Sequence, residues 1–340
     1  MKTFIITGAT QGLGLATAES LARNSNHRVV LAVRDADRGR KVAAAMGGNV
    51  EAHRLDLSSL AEVKQFVSAW QEPLAGLVNN AGVQIINETR RTIDGYEETI
   101  AVNHLAALAL TVGLMPHLAG GRVLFIGSGT HNPDNRDTAM FGFRGARFTT
   151  IDALARGDGD ATSTRQLGLD RYATSKFLNM VTASELARRY PAETTAFFTL
   201  DPGLMAGTGL ARTAPQIFRV VWSSVLRWVA PLLPDTSTPA RSGATAAWIM
   251  TADDLLSRNG EVFSYDREPS RRVWDRARDP ETGRRVLEES LELLKLQAAA
   301  FIHRQHKVFA VNGLAFHHSR YMMLVAIVTS KAKGVVHRSL

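Results

Sequence analysis

Phe4-Ile5-Ile6-Thr7-Gly8-Ala9-Thr10-Gln11-Gly12-Leu13-Gly14 decides how this chain is read. An apolar run breaks into three glycines and resumes as Leu15-Ala16-Thr17-Ala18-Glu19-Ser20-Leu21-Ala22, which has the apolar spacing of a helix packed on a sheet. The pattern predicts strand, tight turn and helix. Gly8 and Gly12 would let backbone approach a phosphate, Gly14 would let the helix pack against the strand, and the helix N-terminus would turn its unpaired N–H groups toward the anion. Thr10, Gln11 and Leu13 complete this candidate dinucleotide cradle. A turn that uses glycine for steric reasons alone is the plain alternative.

Working outward, 340 residues with 45% hydrophobic and 21% charged content suit a globular α/β chain. Residues 2–7 already belong to the first strand, so no leader is expected and a cytoplasmic protein is. The absence of cysteine excludes disulfides, thiolate metal sites and cysteine nucleophiles. The net charge of +8 is uneven, because residues 301–340 hold six Lys/Arg and no Asp or Glu, which leaves the first 300 residues at +2. Nucleic-acid binding by the body is therefore not expected.

Arg28 to Val33 reads as a second buried strand with Arg34 at its C-terminal end. A cation here favours the 2′-phosphate of NADP, as an acid favours the ribose hydroxyl of NAD; Arg34, with Arg38 nearby, points to NADP, and the neighbouring Asp35 points the other way. After a helix through about Ala45, a third strand over Val50 to Leu55 ends at Asp56-Leu57. Asp56 could hold an adenine amino group or cap the next helix, with Ser58 and Ser59 as competing caps. Leu74 to Val78 leads into Asn79-Asn80-Ala81-Gly82, where side-chain amides could pin neighbouring loops and leave room for a ribose. Gly95 to His117 reads as one long apolar helix with Asn103 inside it, a poor helix former that could be a packing amide or hold a proton-relaying water. Arg122 to Ile126 is a fifth strand followed by Ser128, by itself a cap. Tyr172 and Lys176 lie four apart, on one helix face. Thr194 to Leu200 is a sixth strand running into Asp201-Pro202-Gly203 and on to Thr208. A helix near Pro239–Thr251 and a strand at Gly260–Ser264 close the body.

Thr7-Gly8-x-x-x-Gly12-x-Gly14, Asp56, Asn79-Asn80-Ala81-Gly82, Asn103, Ser128 and Tyr172-x-x-x-Lys176 stand in the order of the short-chain dehydrogenase/reductase family, which the chain resembles over roughly residues 3–265. The resemblance implies a Rossmann-type doubly wound parallel sheet, a nicotinamide cofactor and an Asn103, Ser128, Tyr172 and Lys176 catalytic group. Tyr172 would exchange the substrate proton, Ser128 would orient the substrate oxygen, Lys176 would bind the nicotinamide ribose, and Asn103 would support the relay. A free tyrosine has a pKa of about 10; a neighbouring ammonium is expected to lower it. Gly8, Thr10, Gln11, Gly12, Leu13, Gly14, Arg34, Asp56, Leu57, Asn80, Ala81, Gly82, Tyr172, Lys176, Pro202, Gly203 and Thr208 would contact the cofactor, and no metal is required.

Two insertions break the simple pattern. Residues 129–171 separate Ser128 from Tyr172, and an apolar stretch with Trp222 and Trp228 lies within 209–238. Either could be a lid, extra core or a subunit interface; as a lid they imply a bulky, mostly apolar substrate. The long insertion, Asn103-His104-Leu105 and Thr208-Gly209-Leu210 are similar to the light-dependent protochlorophyllide reductase branch and its non-photosynthetic relatives. Leu178 and Leu204 stand where that branch carries cysteines, which favours a dark carbonyl/alcohol oxidoreductase similar to retinol-dehydrogenase-like members. Light-dependent protochlorophyllide reduction and a non-catalytic NADP-sensing protein are the alternatives. The expected organisation is a single catalytic domain over 1–300 and a basic tail over 301–340. The tail's apolar run is far short of the roughly 20 residues of a membrane span, though attachment to a membrane surface is an alternative. A small-molecule substrate is expected, and the family resemblance suggests a homodimer or homotetramer.

Overall fold

The β-branched and aromatic runs form strands, each leaving the sheet near a glycine, amide or acid. The computed structural model describes residues 1–205 and 236–296. Its strands are β1 Lys2–Thr7, β2 His27–Val33, β3 Val50–Arg54, β4 Gly76–Asn79, β5 Gly121–Ile126, β6 Thr195–Asp201, the two-residue β7 Leu204–Met205 and β8 Thr236–Ser237, and β9 Val262–Ser264. Seven form one parallel sheet in the order β3-β2-β1-β4-β5-β6-β9, and β7 pairs with β8 alone. Every residue of β4, β5 and β6 is buried, as expected of strands covered on both faces. The winding reverses between β1 and β4, and the crevice outside the C-terminal strand ends at such a reversal is where open α/β sheets bind ligands.

The described helices of ten residues or more are α1 Gly12–Ala22, α2 Ala36–Met46, α3 Leu60–Ala69, α4 Glu98–His117, α5 Thr164–Arg189, α6 Pro239–Thr251 and α7 Pro280–Leu293. One apolar cluster joins β1 and β2 to α1 and α6 through Phe4, Leu13, Leu21, Val29 and Ile249. A second joins Phe177 and Val181 of α5 to Val286 of α7 and to Phe148, Ile151 and Leu154 from the first insertion. Burying each such side chain contributes about 1.5–3 kcal/mol. The middle of that insertion, residues 146–155, is therefore partly core, and the end helix docks on the body over Pro280–Leu293.

α4 departs from the expected helix in two ways. It starts at Glu98, because Gly95 sits in a turn at φ +85° and Glu97 accepts the Ile100 N–H at 2.8 Å. Its Ala101–Leu105 stretch is a π-helical turn carrying Asn103, and such widened turns gather at functional sites. Its length and apolarity would allow it to cross a membrane, but it is mostly buried, as a core helix is. Thr208, residues 209–235 of the second insertion over 209–238, and the tail lie outside the described residues.

Candidate active site

The cradle is built from backbone. The chain leaves β1 through Gly8 at φ +67° and enters α1 through Gly12 at φ +59°, conformations that L side chains adopt only with strain. A Cβ on Gly12 would meet nothing within 4 Å, so the backbone there faces open space. The side chains of Asp35, Ser59, Ser163, Thr238 and Asp279 cap α2, α3, α5, α6 and α7, whereas Gln11 makes no side-chain cap bond to α1 and no acid lies in its first turn. Leu13 points into the core, so only its backbone serves the cradle.

Gly14 lets α1 approach the ends of β1 and β4 closely, as expected. A Cβ there would lie 2.3 Å from Asn80 Nδ2 and 2.9 Å from the Gly8 carbonyl, so its partner is the Asn80 amide and the turn. Asn80 Nδ2 donates to the carbonyl of Thr7 at 2.8 Å and to that of Gly8 at 3.3 Å, and the Thr7 hydroxyl accepts the N–H groups of Asn80 at 3.0 Å and Ala81 at 2.9 Å. The β1 and β4 ends are locked together as the amide motif suggested. Asn79 turns the other way, to the Thr111 hydroxyl at 2.8 Å.

Arg34 is exposed at the end of β2, and Asp35 is committed to capping α2, accepting the Arg38 N–H at 3.0 Å. The Arg38 guanidinium reaches Gln11 Oε1 at 3.2 Å, which brings the second cation to the cradle's edge. Asp56 is not the cap of α3; Ser59 is, at 3.3 Å from the Glu62 N–H, while Asp56 Oδ1 holds the Ser58 N–H at 2.9 Å and its hydroxyl at 2.7 Å. Leu57 beside it is buried.

On the other side of the reversal, Asn103 is a clamp. Its Oδ1 accepts the Val83 N–H at 2.7 Å, and its Nδ2 donates to the Val83 carbonyl and to the Ser175 hydroxyl, each at 2.9 Å. Ser175 in turn donates to the Tyr172 carbonyl at 2.7 Å. Asn103 therefore fixes the loop after Gly82 to the helix of Tyr172, the packing reading of that amide. A Cβ on Gly82 would lie 3.2 Å from Asn103 Oδ1 and 3.5 Å from Lys176 Nζ, so three expected residues meet there.

Tyr172 and Lys176 share the buried face of α5. Lys176 Nζ sits 5.6 Å from the Tyr172 ring centroid and donates to the Ile126 carbonyl at 3.2 Å. Burial pushes its pKa down to about 8. The expectation for Tyr172 is reversed: burial first, and the charge of Asp201 second, raise its pKa, so the phenol is held protonated. Ser128 does cap a turn, the one over Gly129–His131, and its Oγ accepts the Thr130 N–H at 3.3 Å and the Thr130 hydroxyl at 3.1 Å. Its own proton is left to point elsewhere.

Two residues that sequence reasoning passed over stand here. Asp201 ends the fully buried β6 and accepts the Gly203 N–H at 3.2 Å; an acid closing an apolar strand was the available signal, already noticed at Asp56. His131 gave no signal, since its neighbours come from distant segments. Gly203 turns at φ +71°, and the Pro202 carbonyl accepts the Ser242 hydroxyl at 2.8 Å. From the first insertion, the Phe143 ring lies 6.1 Å from that of Tyr172, and Arg144 pairs with the buried Asp170 at 2.6 Å, tying the insertion to α5 just before Tyr172. Among the described residues no group of three or more His, Asp or Glu could hold a metal ion.

A family model described as short chain dehydrogenase matches residues 2–140. Protochlorophyllide reductase A, chloroplastic, of Hordeum vulgare is 34% identical over 319 residues, covering 86% of this chain and 80% of that one. Protochlorophyllide reductase of Avena sativa is 33% identical over 320 residues, covering 86% and 99%. Among solved structures, an uncharacterized protein from Mycobacterium paratuberculosis is similar with a TM-score of 0.60 at 26% identity, covering 87% of this chain and 94% of that one.

Proposed function

From the premise that this chain belongs to the short-chain dehydrogenase/reductase family of oxidoreductases, in the protochlorophyllide reductase-like branch, we propose that it is an NADP(H)-dependent reductase of a bulky, mostly apolar carbonyl compound. The observation that carries this reading is Tyr172: a buried phenol, held protonated, on the same helix face as Lys176, with Phe143 beside its ring.

The residues fit the cofactor. The open backbone at Gly12 and the α1 N-terminus without a side-chain cap suit a pyrophosphate, and Lys176, close to Gly82, would hold a ribose. Arg34 and Arg38 would hold a 2′-phosphate, while one oxygen of Asp35 is engaged in capping its helix; the two cations support NADP over NAD. When bound, the nicotinamide supplies the hydride. Tyr172 donates its proton to the substrate oxygen, and Ser128 donates a hydrogen bond to the same oxygen, its Oγ being held from behind by Thr130. Lys176 keeps positive charge beside Tyr172, and Phe143 presents an apolar wall.

The named activity of the barley and oat relatives favours a second reading, light-dependent reduction of protochlorophyllide. Leu178, where that branch has cysteine, is fully buried in the second apolar cluster, and no residue here is a thiol donor. NADPH consumption in darkness with all-trans-retinal and other bulky aldehydes and ketones, set against protochlorophyllide in darkness and in light, separates the readings. Dark turnover of a carbonyl is expected; turnover confined to illuminated protochlorophyllide would replace this proposal with the second. NADPH binding with no turnover anywhere would leave a cofactor-sensing protein.

A further inference from the structure

His131 is fully buried beside Ser128, and the chemistry above makes no use of it. Its ring lies between two backbone groups from segments 146 residues apart. Nδ1 is 2.6 Å from the carbonyl oxygen of Ser128, and Nε2 is 3.1 Å from the backbone nitrogen of Trp274. A backbone N–H can only donate, so Nε2 is the bare nitrogen and Nδ1 carries the proton, which it donates to Ser128. Burial opposes the charged form of the ring, which agrees with one proton rather than two. The same residue donates its own N–H to the Ser128 carbonyl at 3.3 Å and accepts the Ala146 N–H on its carbonyl at 2.9 Å. Asn132, next in the chain, donates to the Arg272 carbonyl at 3.0 Å, and Asn135 donates to that of Gly129 at 3.0 Å. Trp274 also packs on Phe177, the neighbour of Lys176, at 5.5 Å between centroids.

We propose that His131 is a positioning residue for Ser128: as the Nδ1–H tautomer it grips the Ser128 carbonyl, ties the turn to Trp274 and to the first insertion, and so aims the Ser128 hydroxyl at the substrate oxygen. This rests on the reading of Ser128 as a substrate-oxygen donor. Among the described residues Ser128 Oγ is held by Thr130, two residues along the same turn, so the turn's own placement sets where the hydroxyl points. Two of the bonds on the Ser128 carbonyl come from His131, and only the ring bond is anchored outside the turn. A displacement of about 1 Å at a reacting group costs on the order of 100-fold in rate.

The shapes of the amides make a test. Asn places its NH₂ where Nδ1–H stands; Gln places its own near Nε2. In NADPH-dependent dark reduction of all-trans-retinal, His131→Asn should retain most of the wild-type kcat, and His131→Gln should lose about 10- to 100-fold, with NADPH affinity unchanged in both. In a Ser128→Ala background, His131→Gln should cost nothing further, because the group it aims is gone. Equal kcat losses in His131→Asn and His131→Gln, or a His131→Gln loss that persists in Ser128→Ala, would mean a general packing role and overturn the proposal. A Ser128→Ala enzyme as active as wild type would overturn the reading of Ser128 and the proposal with it. A fully active His131→Gln beside an impaired Ser128→Ala would overturn the proposal alone. Independently of turnover, imidazole ¹⁵N shifts of the full chain at pH 7.5 should give the neutral Nδ1–H form for His131; the Nε2–H form or a doubly protonated ring would also overturn it.

Discussion

The two sides of the crevice are built on different principles. Around β1, α1 and Asn80 the polar groups are neutral amides, hydroxyls and backbone, each paired locally, and the working surface is bare backbone at Gly12. Around α5, β5 and β6 four titratable side chains are shut away together: Tyr172 6%, Lys176 4%, Asp201 2% and His131 0% exposed. The first side is cheap to keep and, on the proposed function, would bind by shape and dipole. The second costs stability, because burial opposes the charged forms of tyrosine, lysine and histidine alike. On the proposed function, binding is thereby separated from proton chemistry, and each variant below is meant to damage one side while sparing the other.

Tyr172→Phe should do the most. Loss of the proton donor should lower the dark reductive kcat by about 100- to 10,000-fold, with the NADPH Kd within a factor of two or so by fluorescence titration; retained turnover would break the comparison on its catalytic side. Arg34→Ala with Arg38→Ala attacks the other side. Losing charged contacts to a phosphate costs about 1.5–3 kcal/mol each, so NADPH affinity should fall by at least tenfold while NADH affinity holds. Equal losses for both cofactors would sink the role of these cations.

Lys176→Met tests what the catalytic side costs. The lysine's folded pKa of about 8 lies below the ordinary value of 10.5. The unfolded chain therefore binds more protons in that window, and wild-type stability rises as pH climbs from about 8 to 10.5. Below pH 8 the penalty is full, on the order of 3 kcal/mol; there the cofactor-free methionine variant should melt higher than wild type, with the gap closing toward pH 10.5. A variant that melts lower would show that the Ile126 carbonyl contact more than repays the burial. Asp201→Asn is the gentlest change. Removing a negative charge that raises the Tyr172 pKa should bring the alkaline loss of reductive rate to lower pH, with neutral-pH turnover nearly unchanged. An alkaline limb that stays put would leave burial alone responsible.

What the sequence revealed follows the same division. The cofactor side was legible because its signals are short-range: an apolar run, glycines four and two residues apart, an Asn pair after a strand, and cations at a strand end. Even there, tertiary neighbours reassigned the details. Ser59 takes the cap that Asp56 was weighed for, and Asp35 settles on α2. On the catalytic side the residues could be named but their states could not. Burial, and the charge of Asp201 from 29 positions along the chain, raise the Tyr172 pKa, and neither could be weighed from the lysine four residues away. His131 finds its partner at Trp274, and the π-helical turn that presents Asn103 leaves no mark in an apolar helix.

A double-mutant cycle across the crevice tests the separation most directly: wild type, Tyr172→Phe, the Arg34/Arg38 double alanine variant and their combination, each measured for NADPH Kd and for dark reductive kcat at saturating NADPH. Independent sides predict that the arginines move Kd alone, that Tyr172 moves kcat alone, and that the combined protein adds the two changes to within about 0.5 kcal/mol. A Tyr172→Phe enzyme that loses NADPH affinity along with turnover, or a combination far from additive, would contradict it.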